Sequence, residues 1–309
     1  MDALKLLMDL RLWIAVAIVI SFTVPSLDLP FSTFIIIVLI VQMTLSMHGL
    51  RLSLQDLRDN KKGSLVSIAL CYGINTVTTI LIGLMFFDSQ KEVWYGWVML
   101  ASMPCAIAVV TAATLMKERI ETAVLAVTAT YLAGIVLTPL LSFALIGDAV
   151  DPLKILEYIL LFIILPVIFS RLLAHVKLKR EVKVPVINFT MAVMVFCSVN
   201  SNRATLEGDP TLVLLVLAAV ILRVLVLNGI MWMLISKTSF AGGSEGTYQV
   251  LGVWKNTGLS VSMSMIILEA MPAAVIPCFI SLIVETLWFS LYTRKRGAGS
   301  YNPELPEEV

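Results

Sequence analysis

The residues best able to do chemistry lie inside apolar stretches of the chain. Residues 252–258 read Gly-Val-Trp-Lys-Asn-Thr-Gly and place an ammonium group, an amide and a hydroxyl within an apolar region that continues through residue 267. A charge at the centre of a bilayer costs about 2.5–3.5 kcal/mol on insertion scales, so Lys255 is expected to face a cavity or a partner. This run therefore predicts part of a binding site for a substrate or an ion.

Lys255 has three interpretations. It could be a protonatable group that couples movement of a substrate to protons, or the fixed counter-ion of a substrate carboxylate. It could also be a structural lysine, either ion-paired or reaching to the interface. Glu285 lies in another apolar segment and is the candidate partner, because an unpaired buried charge is costly. The alternative for Glu285 is a position near a helix end, facing the headgroups.

Arg223 lies midway along an apolar stretch, residues 211–236. It keeps its charge at ordinary pH and must find an anion, carbonyl groups or water. The charge predicts either contact with a substrate anion or a structural bond to Glu285, Glu157 or helix-end carbonyls.

Uncharged polar side chains in the same apolar stretches line a site or hydrogen-bond neighbouring helices. The candidates are Asn75, Thr76, Thr128, Thr130, Asn228, Asn256 and Thr257. Asn256 and Thr257 are the strongest, since they adjoin Lys255. Gln42, Thr44 and His48 offer a polar face on a second element. We interpret Trp94, Tyr95 and Trp97 as an interfacial aromatic belt.

The composition indicates a polytopic membrane protein. Hydrophobic residues make up 59% of the 309 residues, charged residues only 14%, and the mean hydropathy is +0.95. No run is basic enough for nucleic acid. The four cysteines lie in apolar segments without metal-ligand spacing, and no nucleophile–base–orienter set occurs, so we expect no metal, no cofactor and no enzymatic activity.

A bilayer core about 30 Å thick needs roughly 20 apolar residues per helix. Ten segments qualify: 12–27, 31–47, 64–87, 94–115, 121–147, 153–174, 184–200, 211–236, 247–268 and 272–293. With the N-terminus inside, the inner segments hold 17 Lys and Arg and the outer loops hold 3. The positive-inside rule therefore places both termini in the cytoplasm of a multi-pass protein in the cell (inner) membrane.

The ten segments divide into two halves, 1–150 and 151–295, followed by a tail at 296–309. An odd number of spans per half makes the halves opposite in topology, as in transporters with inverted repeats. The fourth segment is interrupted at residues 102–106, around Pro104 and Cys105, and the ninth at 252–258. Paired breaks of this kind predict a binding site near the bilayer midplane.

Several stretches resemble the bile acid:sodium symporter superfamily, whose members move organic anions, often with sodium. Residues 115–141 contain a Lys-Glu-Arg turn and end in Leu-Thr-Pro-Leu-Leu, and residues 164–168 read Ile-Leu-Pro-Val-Ile. Residues 227–230 read Leu-Asn-Gly-Ile, and residues 255–259 align with a Gln-Asn-Ser-Gly-Leu motif. The resemblance implies a core domain of helices 3–5 and 8–10, in which the broken helices 4 and 9 cross. Helices 1, 2, 6 and 7 would form a panel domain.

The resemblance also identifies departures from the family pattern at the sodium ligands. The ninth-helix glutamate aligns with Leu251 and the glutamine with Lys255. The fourth-helix Ser-Asn pair aligns with Val109 and Val110, and a third-helix glutamine with Cys71. These substitutions remove oxygen ligands and add a positive charge, so the usual sodium sites are expected to be absent.

The sequence therefore predicts a secondary transporter of a small organic anion, such as a bile acid or another carboxylate. Protons are the favoured coupling ion over sodium, and movement without a coupling ion is the other possibility. Two alternatives remain open: sodium coupling through a non-standard site, and arsenite efflux through Cys105, because related arsenite permeases carry a Pro-Cys in the fourth helix.

Overall fold

The computed structural model describes residues 6–27, 29–50 and 54–295. Within these residues the chain is helical and has no strand, and its one isolated β-bridge joins Cys105 to Lys255. The prediction of an all-α protein is confirmed. The predicted tail at 296–309 lies outside the described residues.

Helices occur in each of the ten apolar segments, and the fourth and ninth are each broken into two. The bounds are α1 Leu10–Thr23, α2 Phe31–Met47, α3 Lys61–Phe86, α4a Lys91–Ser102, α4b Ala108–Leu115, α5 Ile120–Ile146, α6 Pro152–Leu172, α7 Arg180–Ser201, α8 Pro210–Lys237, α9a Glu245–Val253, α9b Thr257–Ile267 and α10 Ile276–Lys295. Short helices at Leu54–Asp59 and Arg203–Gly208 lie in the connections.

Among the residues that the structure describes, six helical stretches are long and apolar enough to cross a membrane: Lys61–Phe86, Ile120–Ala149, Pro152–His175, Arg180–Ser201, Pro210–Lys237 and Pro272–Thr293. Helices α1, α2 and α9b are apolar but shorter. The described chain therefore has the character of a polytopic membrane protein.

Capping residues explain where α6 and α8 begin. Asp151 accepts a hydrogen bond from the Leu153 amide at 2.8 Å, and Asp209 accepts one from the Leu212 amide at 2.9 Å. In both helices proline follows the cap at the first position, where its missing N–H costs nothing.

The helices pack in two sets. Helix α7 lies along α1 and α2, and α2 also packs against α6. In the other set α3, α4a and α5 pack on one another, α8 packs on α9a and α10, and α10 also packs on α4a. Helix α9b contacts α10 in one set and α2, α6 and α7 in the other. The two broken helices thus lie in one set, which meets the second through α9b and through the packing of α5 on α6.

Trp94, Tyr95 and Trp97 in α4a are buried, which corrects their interpretation as an interfacial aromatic belt. Trp97 is fully buried and stacks on Phe86 with ring centroids 6.1 Å apart. Gly83 makes room for it, since a Cβ at Gly83 would lie 2.8 Å from the Cβ of Trp97. Helix α4a is short and surrounded by neighbours, so its aromatic residues pack inward.

Candidate functional site

The two helix breaks meet each other. The Asn256 amide donates to the Pro104 carbonyl at 2.8 Å, and the Ala106 amide donates to the Trp254 carbonyl at 3.1 Å. These two bonds form the antiparallel bridge between Cys105 and Lys255. The predicted breaks are confirmed, and main-chain bonds hold them together as one crossing.

The C-terminal ends of α4a and α9a converge on this crossing. The last carbonyls of a helix lack partners within it and carry partial negative charge. Side chains supply the missing donors on α4a: the Thr76 hydroxyl donates to the Ala101 carbonyl and the Thr138 hydroxyl to the Ser102 carbonyl, both at 2.7 Å. Two such ends in one buried region favour a cation between them.

Lys255 provides that cation. Its side chain is 0% exposed, and its ammonium group donates to the Met103 carbonyl at 2.8 Å and to the Cys71 carbonyl and the Thr76 hydroxyl at 3.0 Å each. The ammonium also lies 4.7 Å from the centre of the Tyr72 ring. An ammonium has three donors, and here all three are matched by oxygen acceptors.

The carbonyl of Cys71 belongs to a π-helical turn, Ala69–Asn75, within α3. Such turns leave the regular hydrogen-bond ladder and are frequent at functional sites. The turn brings both Cys71 and Thr76 to the Lys255 ammonium. Helix α3 therefore completes the Lys255 site from outside the two broken helices.

Glu285 is paired with Arg223 and not with Lys255. The Arg223 guanidinium donates to one carboxylate oxygen of Glu285, and both side chains are fully buried. In the described part of the chain, no carboxylate lies within ion-pair distance of the Lys255 ammonium. Lys255 is satisfied by neutral oxygens, so it does not need Glu285, whereas Arg223 on α8 faces Glu285 on α10 directly.

Asn75 links the Arg223 pair to the crossing. Its side-chain oxygen accepts from Arg223 at 3.1 Å, and its side-chain nitrogen donates to the carbonyls of Gly252 and Val253 at 3.0 Å. The last turn of α9a is thereby held by α3. The buried charges of this region are Lys255, Arg223 and Glu285, with a net charge of +1 when all three are ionised.

Asn256 lies where the two sets of helices meet, because its side-chain nitrogen contacts Tyr131 on α5 in one set and, at 3.6 Å, the Met43 sulfur on α2 in the other. Its side-chain nitrogen donates to the Tyr131 hydroxyl at 2.5 Å. Its side-chain oxygen caps α9b by accepting from the Leu259 main-chain amide at 3.0 Å. A Cβ on the neighbouring Gly258 would lie 3.4 Å from the Gln42 side chain on α2. The oxygen of Gln42 is buried and has no hydrogen-bond partner among the described residues. Thr257 is buried beside Asn256 at the first position of α9b.

Cys105 lies in the crossing but is shielded. Its thiol is fully buried and lies 3.1 Å from the Thr130 hydroxyl, which also donates to the Ala126 carbonyl at 2.9 Å. Thr130 and Pro104 are thus part of the crossing. Thr128 is not joined to it, because its hydroxyl donates within α5 to the Val124 carbonyl at 2.7 Å.

Asn228 lies away from the crossing and is half-buried on α8. Both its main-chain and side-chain oxygens accept from Gln249 at 2.9 Å, which ties α8 to α9a. Its hydrogen bonds therefore serve helix packing.

Two of the cavities in the described part of the chain open at the ends of helices, and Lys255 lines neither of them. One of about 300 Å³ lies among the starts of α2 and α6 and the end of α9b, and includes Lys154, Glu157 and Glu269. The other, of about 210 Å³, lies near the starts of α3, α5 and α9a, and includes Lys62 and Arg119. No cluster of three or more potential metal ligands occurs in residues 6–27, 29–50 and 54–295.

Several members of the site have little or no signal in the sequence. The carbonyls of Cys71 and Met103 could not be predicted, because any residue type carries a main-chain oxygen. Tyr131 was not distinguishable from other aromatic residues in an apolar helix. Thr79, which accepts from Arg223 at 2.7 Å, lies one helical turn after Asn75, so helical periodicity could have identified it.

A comparison with family models gives a match to the sodium bile acid symporter family over residues 33–207, more than half of the chain. The fold and this match define a membrane transporter. The chain belongs to the sodium bile acid symporter family, which confirms the resemblance found in the sequence. A comparison with curated proteins gives no match.

Proposed function

We propose that the protein is a secondary transporter that moves a small organic anion by alternating access and does so without sodium. The observation that carries this proposal is the buried Lys255 ammonium at the crossing, bound by the oxygens of Cys71, Met103 and Thr76. Carbonyl and hydroxyl oxygens between helix ends are the ligands that a sodium ion takes in broken-helix transporters. A side chain that already fills such a position leaves no place there for a free ion.

The proposal includes a topology of ten membrane helices in two inverted halves, 1–150 and 151–295, with both termini in the cytoplasm. The paired breaks in α4 and α9 support it. The packing of α7 along α1 and α2, and of α2 on α6, supports a panel domain that moves against a core domain of the remaining helices, which it meets through α9b and α5.

An anionic substrate fits the charge of the region. Lys255, Arg223 and Glu285 together leave one positive charge, and the N-terminal end of α9b adds partial positive charge beside Asn256 and Thr257. Gln42 and Tyr131 would offer polar groups to a substrate between α9b and α2. A proton gradient or the substrate's own gradient would drive the movement.

The test is uptake of a panel of carboxylates into liposomes that contain the purified protein. Uptake is measured in sodium, in choline, and with an imposed proton gradient. We expect equal uptake in sodium and choline. Uptake that requires sodium would overturn the role proposed for Lys255.

The matched variants are Lys255→Gln and Lys91→Gln, since Lys91 is an exposed lysine at the start of α4a. Lys255→Gln should lower uptake at least about tenfold, because it removes the buried positive charge. A tenfold change corresponds to about 1.4 kcal/mol, which is less than the energies typical of buried charges. Lys91→Gln should not change uptake. Equal uptake by both variants would contradict the proposal.

A further inference from the structure

The Arg223 guanidinium lies in an enclosure of oxygens. It donates to the Thr79 hydroxyl at 2.7 Å, to the Asn75 side-chain oxygen at 3.1 Å, to the Val253 carbonyl at 3.5 Å and to Glu285. One hydroxyl, one amide oxygen, one main-chain carbonyl and one carboxylate are the oxygen types that bind hard cations such as Na⁺. They come from α3, α9a and α10, so the enclosure is built by three helices around a side chain of a fourth.

The enclosure holds more acceptor capacity than Arg223 uses. The second carboxylate oxygen of Glu285 is buried and has no hydrogen-bond partner in the described residues. Buried polar atoms are nearly always paired, so an unpaired carboxylate oxygen is notable. Four oxygens therefore accept from the guanidinium, and a fifth, on the same carboxylate of Glu285, remains available.

The enclosure repeats the arrangement at Lys255. In each case a side-chain cation lies at the C-terminal end of a broken helix: Lys255 binds the Met103 carbonyl after α4a, and Arg223 contacts the Val253 carbonyl at the end of α9a. Each end carries about half a negative charge, which favours a cation in both positions.

We propose that the Arg223 position is a sodium-type cation site in which a tethered guanidinium takes the place of an exchangeable ion. Arg223 is then a residue that determines ion specificity, and its removal opens a site for Na⁺. The inference rests on the proposed function, in which the Lys255 ammonium also fills the position of a sodium ion. It concerns the separate position of Arg223, and it is tested by sodium binding and not by uptake.

The test compares purified wild-type protein with Arg223→Ala and with the double variant Arg223→Ala/Glu285→Ala. Thermal unfolding in detergent is followed as sodium replaces choline at constant ionic strength, with potassium as a second control. We expect the midpoint of Arg223→Ala to rise with sodium in a saturable way, by roughly 5 °C at a hundredfold excess over Kd. The wild type and the double variant should not respond.

Arg223→Ala leaves a buried carboxylate unpaired, so recovery of folded protein is a second measurement. Membranes are extracted in sodium and in choline, and monodisperse protein is quantified. Greater recovery in sodium supports the site. Equal loss in both salts, or an equal sodium response in the wild type, overturns it. These experiments measure unfolding and recovery and not uptake, so a failure of the Arg223 site can be told apart from a failure of the proposed function. Sodium-dependent uptake would overturn the proposed function.

Discussion

The guanidinium of Arg223 and the carboxylate of Glu285 form an ion pair that has no exposure to solvent. The pair joins α8 to α10, and Asn75 extends it to the last turn of α9a. Removing two charges from water costs several kcal/mol per ion, and the cost is recovered only when the geometry and additional hydrogen bonds are good. Here Thr79 and Asn75 supply such bonds, so the pair depends on α3 as well as on α8 and α10.

Replacing either member of the pair should destabilise the protein strongly. Arg223→Met and Glu285→Met each leave one buried charge unpaired and should cost about 3–5 kcal/mol. The double variant removes both charges and should cost less than the sum of the two. Thermal unfolding in detergent measures all three variants, and additive effects would show that the two residues do not act as a pair.

Glu118 should stabilise the start of α9a. This residue, in the turn between α4b and α5, accepts from the Gly246 amide at 2.8 Å and from the amide and the hydroxyl of Thr247 at 2.7 Å. Its charge also favours the N-terminal end of the helix. Glu118→Ala should lower stability by about 2 kcal/mol, measured by thermal unfolding.

The control for Glu118 is Glu121→Ala, because Glu121 is exposed in the first turn of α5 and accepts none of these bonds. It should leave the unfolding midpoint within about 1 °C of the wild type. Similar losses in the two variants would exclude the capping role.

Gly96 allows α4a to pack against the turn before α10. A Cβ at Gly96 would lie 1.9 Å from the Ala274 carbonyl oxygen, so Gly96→Ala requires the main chain to move. We expect a loss of about 3 kcal/mol, or failure to fold. Thermal unfolding and the yield of monodisperse protein measure the effect.

Gly73→Ala is the matched control, since a Cβ there meets nothing within 4 Å. It should be neutral or stabilise by up to about 1 kcal/mol, because alanine loses less conformational freedom in a helix. If Gly96→Ala were as stable as Gly73→Ala, the close approach of α4a and the turn would not exist.

Gln42→Leu should separate substrate binding from stability. The Gln42 oxygen is buried and unpaired among the described residues, so leucine should preserve or raise the unfolding midpoint. If Gln42 contacts the substrate, KM for uptake should rise about tenfold, which corresponds to about 1.4 kcal/mol. Unfolding and uptake are measured on the same preparation.

Gln249→Leu provides the comparison, because Gln249 is also buried but donates twice to Asn228. This change should lower stability by about 1–3 kcal/mol. An unchanged KM in Gln42→Leu would remove Gln42 from the proposed site.

Local features of the sequence predicted the helices and both breaks. The span predicted at 31–47 coincides with α2, and the other predicted segments differ from the observed helices by a few residues at their ends. Hydropathy, proline and glycine affect the backbone within one or two helical turns, so neighbouring residues in the sequence are enough to predict their effect. The breaks around Pro104 and Lys255 were found for the same reason.

The partners of the buried charges were decided by the tertiary structure. The sequence indicated that Lys255, Arg223 and Glu285 needed partners, because each lies in an apolar segment. It left Glu285 as a candidate partner of both Lys255 and Arg223, and the fold brings Arg223 to Glu285 and surrounds Lys255 with oxygens from α3 and the end of α4a. Those oxygens include main-chain carbonyls, which every residue type carries, so the sequence does not distinguish them. They lie more than 150 positions before Lys255 in the chain. Only the packing of separate helices determines which of them meet.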